Sequence, residues 1–173
     1  FELYQKGLAG GDLLNNGIIN EWDYKNITTL GCSLKEFTWT ENFIQEFKDF
    51  LPAHRRDNAY LYNLGNLYYH KKMFDEAISA LIRVQFTDIT YHLNTTFLMI
   101  RTYHAKRDTD ALLSLLDTFR IYIMRNTHIN TDQKKGYTNF LRFTKKMVMI
   151  KHQIEYLEAN KANSQLKQLM EQI

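Results

Sequence analysis

An internal repeat with a period of about 34 residues is the feature that most constrains how this chain can fold. When the sequence is shifted by 34 positions against itself, apolar residues fall on apolar residues and Gly31 falls on Gly65. The apolar coincidences include Leu30, Leu64 and Leu98, then Ile44, Ile78 and Leu112, then Phe47, Leu81 and Leu115. A unit of this length holds two helices and a short turn, and one helical hairpin cannot bury its apolar face alone. The period therefore predicts a stack of helical hairpins that share a core.

The composition predicts an all-α protein. The 173 residues include one Pro and seven Gly, too few for the many tight turns of a sandwich or barrel. No segment alternates apolar and polar residues over a strand's length, so we predict no strands. The helices are expected at about 1–15, 21–31, 40–51, 59–70, 75–86, 89–105, 108–125 and 136–158, with a soft break at 160–164 and a short closing helix at 165–173.

The segment from Asn58 to Asp88 carries the clearest motif. Its first helix contains Leu61, Leu64-Gly65 and Tyr68, and its second contains Phe74-Asp75-Glu76-Ala77-Ile78 and Leu81. The small residues Gly65 and Ala77 are expected to let the two helices approach closely. This pattern resembles the tetratricopeptide repeat, and the flanking segments from about 21 to 125 resemble it less closely. The resemblance implies a right-handed α-α superhelix of about four stacked hairpins, with a concave groove lined by the first helix of each. The chain as a whole is similar to bacterial proteins with degenerate helical repeats.

We predict a single helical-repeat domain over residues 1–173. Its units are expected at about 1–20 (partial), 21–52, 58–88, 89–126 and 131–173, the last being a cap. Because the segment 1–15 looks like the second helix of a preceding unit, Phe1 is expected to be an artificial or processed start of a longer chain. This start predicts an exposed apolar patch around Leu3, Tyr4 and Leu8.

The predicted function is a non-enzymatic protein-interaction or scaffolding module. Tyrosines offer a large rigid surface with a polar tip, which suits a peptide or a partner helix. The repeat register predicts that Tyr69 lies near Tyr103 and that His70 lies near His104. The full set expected to bind a partner is Tyr62, Asn66, Tyr69, His70, Thr96, Ile100, Tyr103 and His104. The alternative that these side chains only pack against a neighbouring helix remains open.

No catalytic or metal-binding motif is present in the sequence. The six His do not occur at His-x-x-x-His spacing, although stacked repeats could bring His70 and His104 together. We therefore predict no metal, no cofactor and no enzyme activity. Cys32 is the only cysteine, which excludes an internal disulfide and is consistent with the cytoplasm, and we interpret it as a small packing residue rather than a reactive thiol.

A second surface is predicted near the C-terminus, where Lys and Arg occur without Asp or Glu. Lys135, Arg142 and Lys146 fall near one face of a helix. This face predicts either a solvated cap or contact with an acidic partner. The net charge of +3 argues against a dedicated nucleic-acid-binding domain, so weak binding to nucleic acid or an anionic surface is an alternative. A further alternative is a helical domain that assists an enzyme or regulator located elsewhere in a longer chain. No apolar run is long enough for a transmembrane helix.

Overall fold

The computed structural model describes residues 1–170, without the side chains of residues 162, 163 and 165–170. The chain forms two compact units, Phe1–Lys106 and a second that starts at Arg107. The boundary between them falls inside the unit predicted at 89–126.

The protein is all-α, as the composition predicted. Its elements in chain order are α1 (Glu2–Gly10), β1 (Leu14–Asn15), β2 (Ile18–Ile19), α2 (Glu21–Ser33), α3 (Phe37–Glu46), a 3₁₀ turn (Lys48–Phe50), α4 (Arg56–His70), α5 (Phe74–Leu81), α6 (Ile89–Lys106), α7 (Thr109–Arg125) and α8 (Thr131–Met170). Within residues 1–170 no helix is both long and apolar enough to cross a membrane.

The prediction that the chain has no strands is wrong at one place, because β1 and β2 form a short antiparallel hairpin. Leu14 pairs with Ile19 and Asn15 pairs with Ile18. Asn16 and Gly17 have φ values of 51° and 77°, which is the left-handed pair that a tight two-residue hairpin turn requires. Helix α1 therefore ends at Gly10, earlier than predicted, and the hairpin turns Ile19 into the core.

The three connections that follow α2, α4 and α6 share one backbone conformation. Each contains a basic residue in the left-handed region, namely Lys35 at φ 63°, Lys72 at φ 62° and Arg107 at φ 63°. The spacing of these positions is close to the period of the sequence repeat, so the backbone repeats at nearly the same interval as the side chains. The helix–turn–helix unit predicted from that period is therefore present as a recurring local structure.

The helices of two hairpins in the first unit approach closely at a glycine. A Cβ on Gly65 would lie 2.7 Å from Cγ of the fully buried Leu81 and 3.4 Å from the carbonyl of Ala77. A Cβ on Gly31 would overlap the hydroxyl of the buried Thr40. The prediction that small residues at positions 65 and 77 permit the α4–α5 crossing is confirmed.

The core of the first unit is centred on α2, α3 and the start of α4. Tyr24 is fully buried, and its hydroxyl donates a 2.7 Å hydrogen bond to the carbonyl of Ile44. Tyr4 and Leu8 of α1 pack against this cluster, whereas Leu3 is 85% exposed. The apolar patch predicted around these three residues is therefore reduced to Leu3.

Helix α4 is the hub of the first unit, because it packs against α2, α3, α5 and α6. The first helices α2, α4 and α6 are thus neighbours in sequence order, while α5 contacts α4 and α6. This order is the one that stacked hairpins require. It brings the N-terminal ends of α2, α4 and α6 together on one side.

The second unit consists of α7 packed on α8. Lys145 pairs with Asp117 at 2.7 Å, and Nζ of Lys134 donates to the carbonyl of Met124, so the two helices run antiparallel. The side chains that are buried in this unit are Leu112, Leu116, Phe119 and Ile123 on α7, Ile129 in the connection, and Leu141 and Val148 on α8.

Helix α8 differs from the prediction at both ends. It starts at Thr131 rather than at 136 or 137, because Asn130 and Gln133 exchange side chain–backbone hydrogen bonds of 2.9 and 3.3 Å in a capping box. The break predicted at 160–164 is also wrong, since the helix continues to Met170. Asn and Ser each cost only a few tenths of a kcal/mol inside a helix, and the alanines near them favour it. Residues 171–173 of the predicted closing helix lie outside the described residues.

Candidate binding cleft

A cleft of about 280 Å³ opens where the N-terminal ends of α2, α4 and α6 meet. Trp22 and Lys25 of α2 form one wall, and Tyr91 of α6 forms the opposite wall. Tyr62 and Asn63 of α4 lie between them. The volume is at the lower end for small-molecule sites and suits one or two amino-acid side chains.

A charged network closes one end of this cleft. Nη1 of Arg55 lies 2.9 Å from Oε1 of Glu21 and 3.1 Å from Oδ2 of Asp88. The Tyr91 hydroxyl donates to Oε2 of Glu21 at 2.8 Å, and its backbone N–H donates to Asp88 at 3.0 Å. Burial, and then the Glu21 carboxylate, raise the pKa of Tyr91, so it remains a proton donor. Both carboxylates of this network therefore already have hydrogen-bond partners within the protein.

Lys25 lies between two aromatic rings of the cleft. Its ammonium is 5.3 Å from the ring centre of Trp22 and 5.4 Å from that of Tyr62. Burial lowers the pKa of Lys25, and burial raises the pKa of Tyr62 against the opposing effect of Arg101. Among the side chains that the structure describes, no carboxylate forms an ion pair with Lys25. The cleft therefore presents one ammonium that aromatic rings contact and no described acid neutralises.

Asn63 contributes an unsatisfied acceptor to the cleft lining. The side chain is only 1% exposed, and its Nδ2 donates to the carbonyl of Ala59 at 2.8 Å. Its Oδ1 is buried without a hydrogen-bond partner in the described part of the chain. A buried acceptor without a donor costs roughly 1–3 kcal/mol, and a ligand would reach this oxygen only if the side chain moved.

The side chains that were predicted to bind a partner differ in their exposure to solvent. Tyr62 lines the cleft, Tyr69, His70 and Tyr103 are half-buried, and His104 is exposed. Asn66, Thr96 and Ile100 are buried in the packing between helices, so they cannot contact a partner in this conformation. Each faces inward because α4 and α6 are both enclosed by neighbouring helices.

The tyrosine ladder predicted from the repeat register does not form. Tyr69 contacts the rings of His70 and Phe74, and the guanidinium of Arg101 lies 4.7 Å from its ring centre. Burial and then Arg101 lower the pKa of His70. Arg101 occupies the place beside Tyr69 where Tyr103 was expected.

The basic face predicted on α8 is exposed at all three positions, Lys135, Arg142 and Lys146. Arg142 and Lys146 also line a shallow depression between α7 and α8. Lys145 is paired with Asp117 and so does not add to this face.

Other groups with possible chemistry are not arranged as sites. Cys32 is buried, and burial raises the pKa of its thiol to about 12, which favours the packing interpretation. Among the residues that the structure describes, no three His, Cys, Asp or Glu side chains lie close enough to hold a metal ion.

Sequence reasoning missed most of the cleft, including Glu21, Trp22, Lys25, Arg55, Asp88 and Tyr91. One signal was available, because Glu21 and Arg55 are separated by 34 positions and Asp88 follows 33 positions later. An acid, a base and an acid at successive repeat positions predict an ion-paired row across the first helices. Trp22 is 50% exposed, and no local signal in the sequence places it in the cleft.

Comparison with known protein families, with curated proteins and with solved structures finds no match to this chain. The resemblance to the tetratricopeptide repeat therefore stays a prediction, and the argument for function depends on the cleft itself.

Proposed function

We propose that this protein is a non-enzymatic interaction module that binds a peptide segment of a partner protein in the cleft between α2, α4 and α6. The observation that carries the proposal is the pairing of an unneutralised ammonium at Lys25 with exposed aromatic surface at Trp22. We further propose that the hairpins of the first unit stack as the tetratricopeptide resemblance implies. The adjacency of α2, α4 and α6 supports this arrangement.

The cleft favours a peptide that brings an acidic side chain next to an apolar one. Lys25 supplies a cation for the acid, while Trp22 and Tyr62 supply flat apolar surface. Since the carboxylates of Glu21 and Asp88 are already paired with Arg55, the cleft does not favour a basic peptide.

The test is a screen of short peptides that vary an acidic and an apolar position, followed by titration. Trp22 is the natural reporter, because the sequence has only one other tryptophan, Trp39, which lies outside the cleft. A Trp39→Phe chain gives fluorescence from Trp22 alone, and a bound peptide should change its intensity and wavelength. We expect acidic–apolar peptides to bind and their lysine-substituted versions to fail.

A matched pair of variants separates binding from general charge. Lys25→Gln should weaken an acidic peptide about tenfold, because a hydrogen bond to a charged group contributes about 1.5–3 kcal/mol. Lys48→Gln is the control, since Nζ of Lys48 lies 5.1 Å from the ring of Tyr60 outside the cleft. Equal losses in the two variants would contradict a specific role for Lys25.

Tyr69 and Tyr103 provide a second test, because both remain half-buried on the first helices. Replacing both with alanine should weaken a partner that extends along α4 and α6 by about 2 kcal/mol or more. If this double variant binds normally while Trp22→Ala does not, the partner occupies only the cleft at the N-terminal ends.

The basic face of α8 supports a second candidate function, contact with an anionic surface. Lys135, Arg142 and Lys146 are exposed, and among the described residues none of them forms an ion pair. Non-specific contact through only three charges is weak and is lost at moderate salt. Retention above roughly 0.3 M salt would favour this function over peptide binding.

A further inference from the structure

Helix α8 extends far beyond the helix on which it packs. Its 40 residues span about 60 Å, whereas the 17 residues of α7 span about 26 Å. Thr109 and Asp110, at the start of α7, lie opposite Met149 to Gln153. All side chains from Met149 to Lys161 are exposed. The C-terminal half of α8 is therefore uncovered within the part of the chain that the structure describes.

An apolar row runs along the outer side of α8. Its five members, Phe143, Met147, Ile150, Ile154 and Leu157, are between 47% and 65% exposed. They are spaced four, three, four and three positions apart. The side chains buried on α8, Leu141 and Val148, lie on a different side of the helix, and of the outer row only Ile150 borders the shallow depression between α7 and α8.

The spacing of this outer row is that of a coiled-coil seam. Alternating steps of three and four residues place apolar side chains at the a and d positions of a heptad, here Met147 and Ile154 at a and the other three at d. Single exposed apolar residues are ordinary on a protein surface, but five in unbroken heptad spacing are typical of a helix that pairs with another helix.

The exposed area of the outer row is sufficient for pairing with a second copy of the same helix, and the charges beside the row decide the orientation. Two copies of the outer row would bury on the order of 1,000 Å² in total, which is the lower limit for a specific interface. In a parallel pair, Lys146 at g would lie opposite Lys151 at e of the second copy, so two like-charge contacts would form. In an antiparallel pair, Lys146 would lie opposite Gln153, and Lys151 would lie opposite Thr144.

We propose that this protein self-associates through the outer row of α8, which pairs antiparallel with α8 of a second copy. Phe143 of one copy packs on Ile154 of the other, and Met147 packs on Ile150. This surface shares no residue with the cleft, so Trp22→Ala leaves the association unchanged whether or not the cleft binds a peptide.

The first experiment measures mass against concentration by analytical ultracentrifugation over about a hundredfold range. The unmodified chain is expected to shift from monomer to dimer. Met147→Glu with Ile154→Glu buries charges in the interface, so its dissociation constant should rise at least about a hundredfold. Met149→Glu with Tyr156→Glu is the matched control at similarly exposed positions off the seam, and it should dimerise normally. Circular dichroism verifies that both variants keep their helices.

The second experiment determines orientation. Gln153→Lys places a lysine opposite Lys146 and should weaken an antiparallel dimer about fivefold, while Gln153→Glu should strengthen it by a similar factor. A parallel dimer would respond in the opposite sense, because position 153 would then face Glu158. A chain with Phe143→Cys mixed with one carrying Ile154→Cys should crosslink to each other through a short bismaleimide but not to themselves. Cys32 is buried and does not interfere.

Three results would overturn the proposal. One is a monomer at every concentration. Another is equal loss of dimer in the seam variant and the control. The third is a seam variant that abolishes binding to phosphatidylserine vesicles while the unmodified chain stays monomeric, which would assign the same row to a lipid surface.

Discussion

The first unit and the outer half of α8 use apolar periodicity in opposite ways. In the first unit, residues that recur every 34 positions, such as Ile44 and Leu81, are buried within the chain. On α8, residues that recur every three or four positions, such as Met147 and Ile154, stay exposed. Both patterns predict that a surface will be covered. The period distinguishes the two cases. In a 34-residue repeat, the next unit of the same chain buries the apolar face, whereas a heptad row on one helix needs a second helix to bury it.

The largest effect expected from this comparison lies within α8 itself. Leu141→Ala removes a buried contact with α7 and should lower the free energy of unfolding by about 2–4 kcal/mol. Ile154→Ala on the exposed half should change it by less than about 0.5 kcal/mol when the chain is monomeric. Urea denaturation followed by circular dichroism at low protein concentration measures both. Similar losses at the two positions would mean that the exposed half is packed after all.

The next effect concerns the close crossing in the first unit. Ala77 is fully buried beside Gly65, so Ala77→Phe should cost on the order of 1–3 kcal/mol through overpacking. Ser79→Phe on the exposed side of α5 is the control and should be nearly neutral. Both tryptophans lie in the first unit, so their fluorescence reports its unfolding. A neutral Ala77→Phe would contradict the crossing.

A smaller effect tests the buried polar contact that accompanies the repeat packing. Tyr24→Phe removes the hydroxyl that donates to the carbonyl of Ile44 and should cost about 1 kcal/mol. Tyr156→Phe on the exposed half of α8 should cost nothing measurable. Urea denaturation midpoints measure the loss of stability in each variant. A loss in Tyr24→Phe alone would show that the buried tyrosine hydroxyl stabilises the fold and the exposed one does not.

The smallest effect is a dependence on pH. The pKa of His70 is lowered in the folded state, so the unfolded chain binds its proton more readily. The stability contributed by neutral His70 is therefore present above the unfolded pKa of about 6.5 and is lost as the pH falls towards the folded value. His70→Gln should reduce the loss of stability between about pH 7.5 and about pH 5. His104→Gln, on an exposed side chain of α6, should not reduce it.

The sequence predicted the helices because their signals are local. Apolar spacing located α2 to α7, and Gly65 and Ala77 predicted a close crossing. The start of α8 was missed because the polar stretch around it resembles a loop. Asn130 and Gln133 nevertheless form a capping box there. The β-hairpin was missed because two-residue strands are too short to alternate.

The cleft was less predictable, because it depends on how helices are offset from one another. Arg101 lies over the ring of Tyr69, where Tyr103 was expected, and Asn66 is buried. Sequence spacing fixes which side of one helix a residue occupies. The offset between α4 and α6 is set by three-dimensional packing, which spacing does not contain.

The three left-handed turn residues, Lys35, Lys72 and Arg107, have an energetic consequence. An L-residue in this conformation costs roughly 1–2 kcal/mol relative to glycine, which adopts it freely. Glycine would also make the unfolded chain more flexible, which offsets about 0.4–1 kcal/mol of that gain. Each substitution should still leave the folded protein slightly more stable. Thermal stability can therefore be increased by glycine substitutions in these turns, without changing the core, the cleft or the seam.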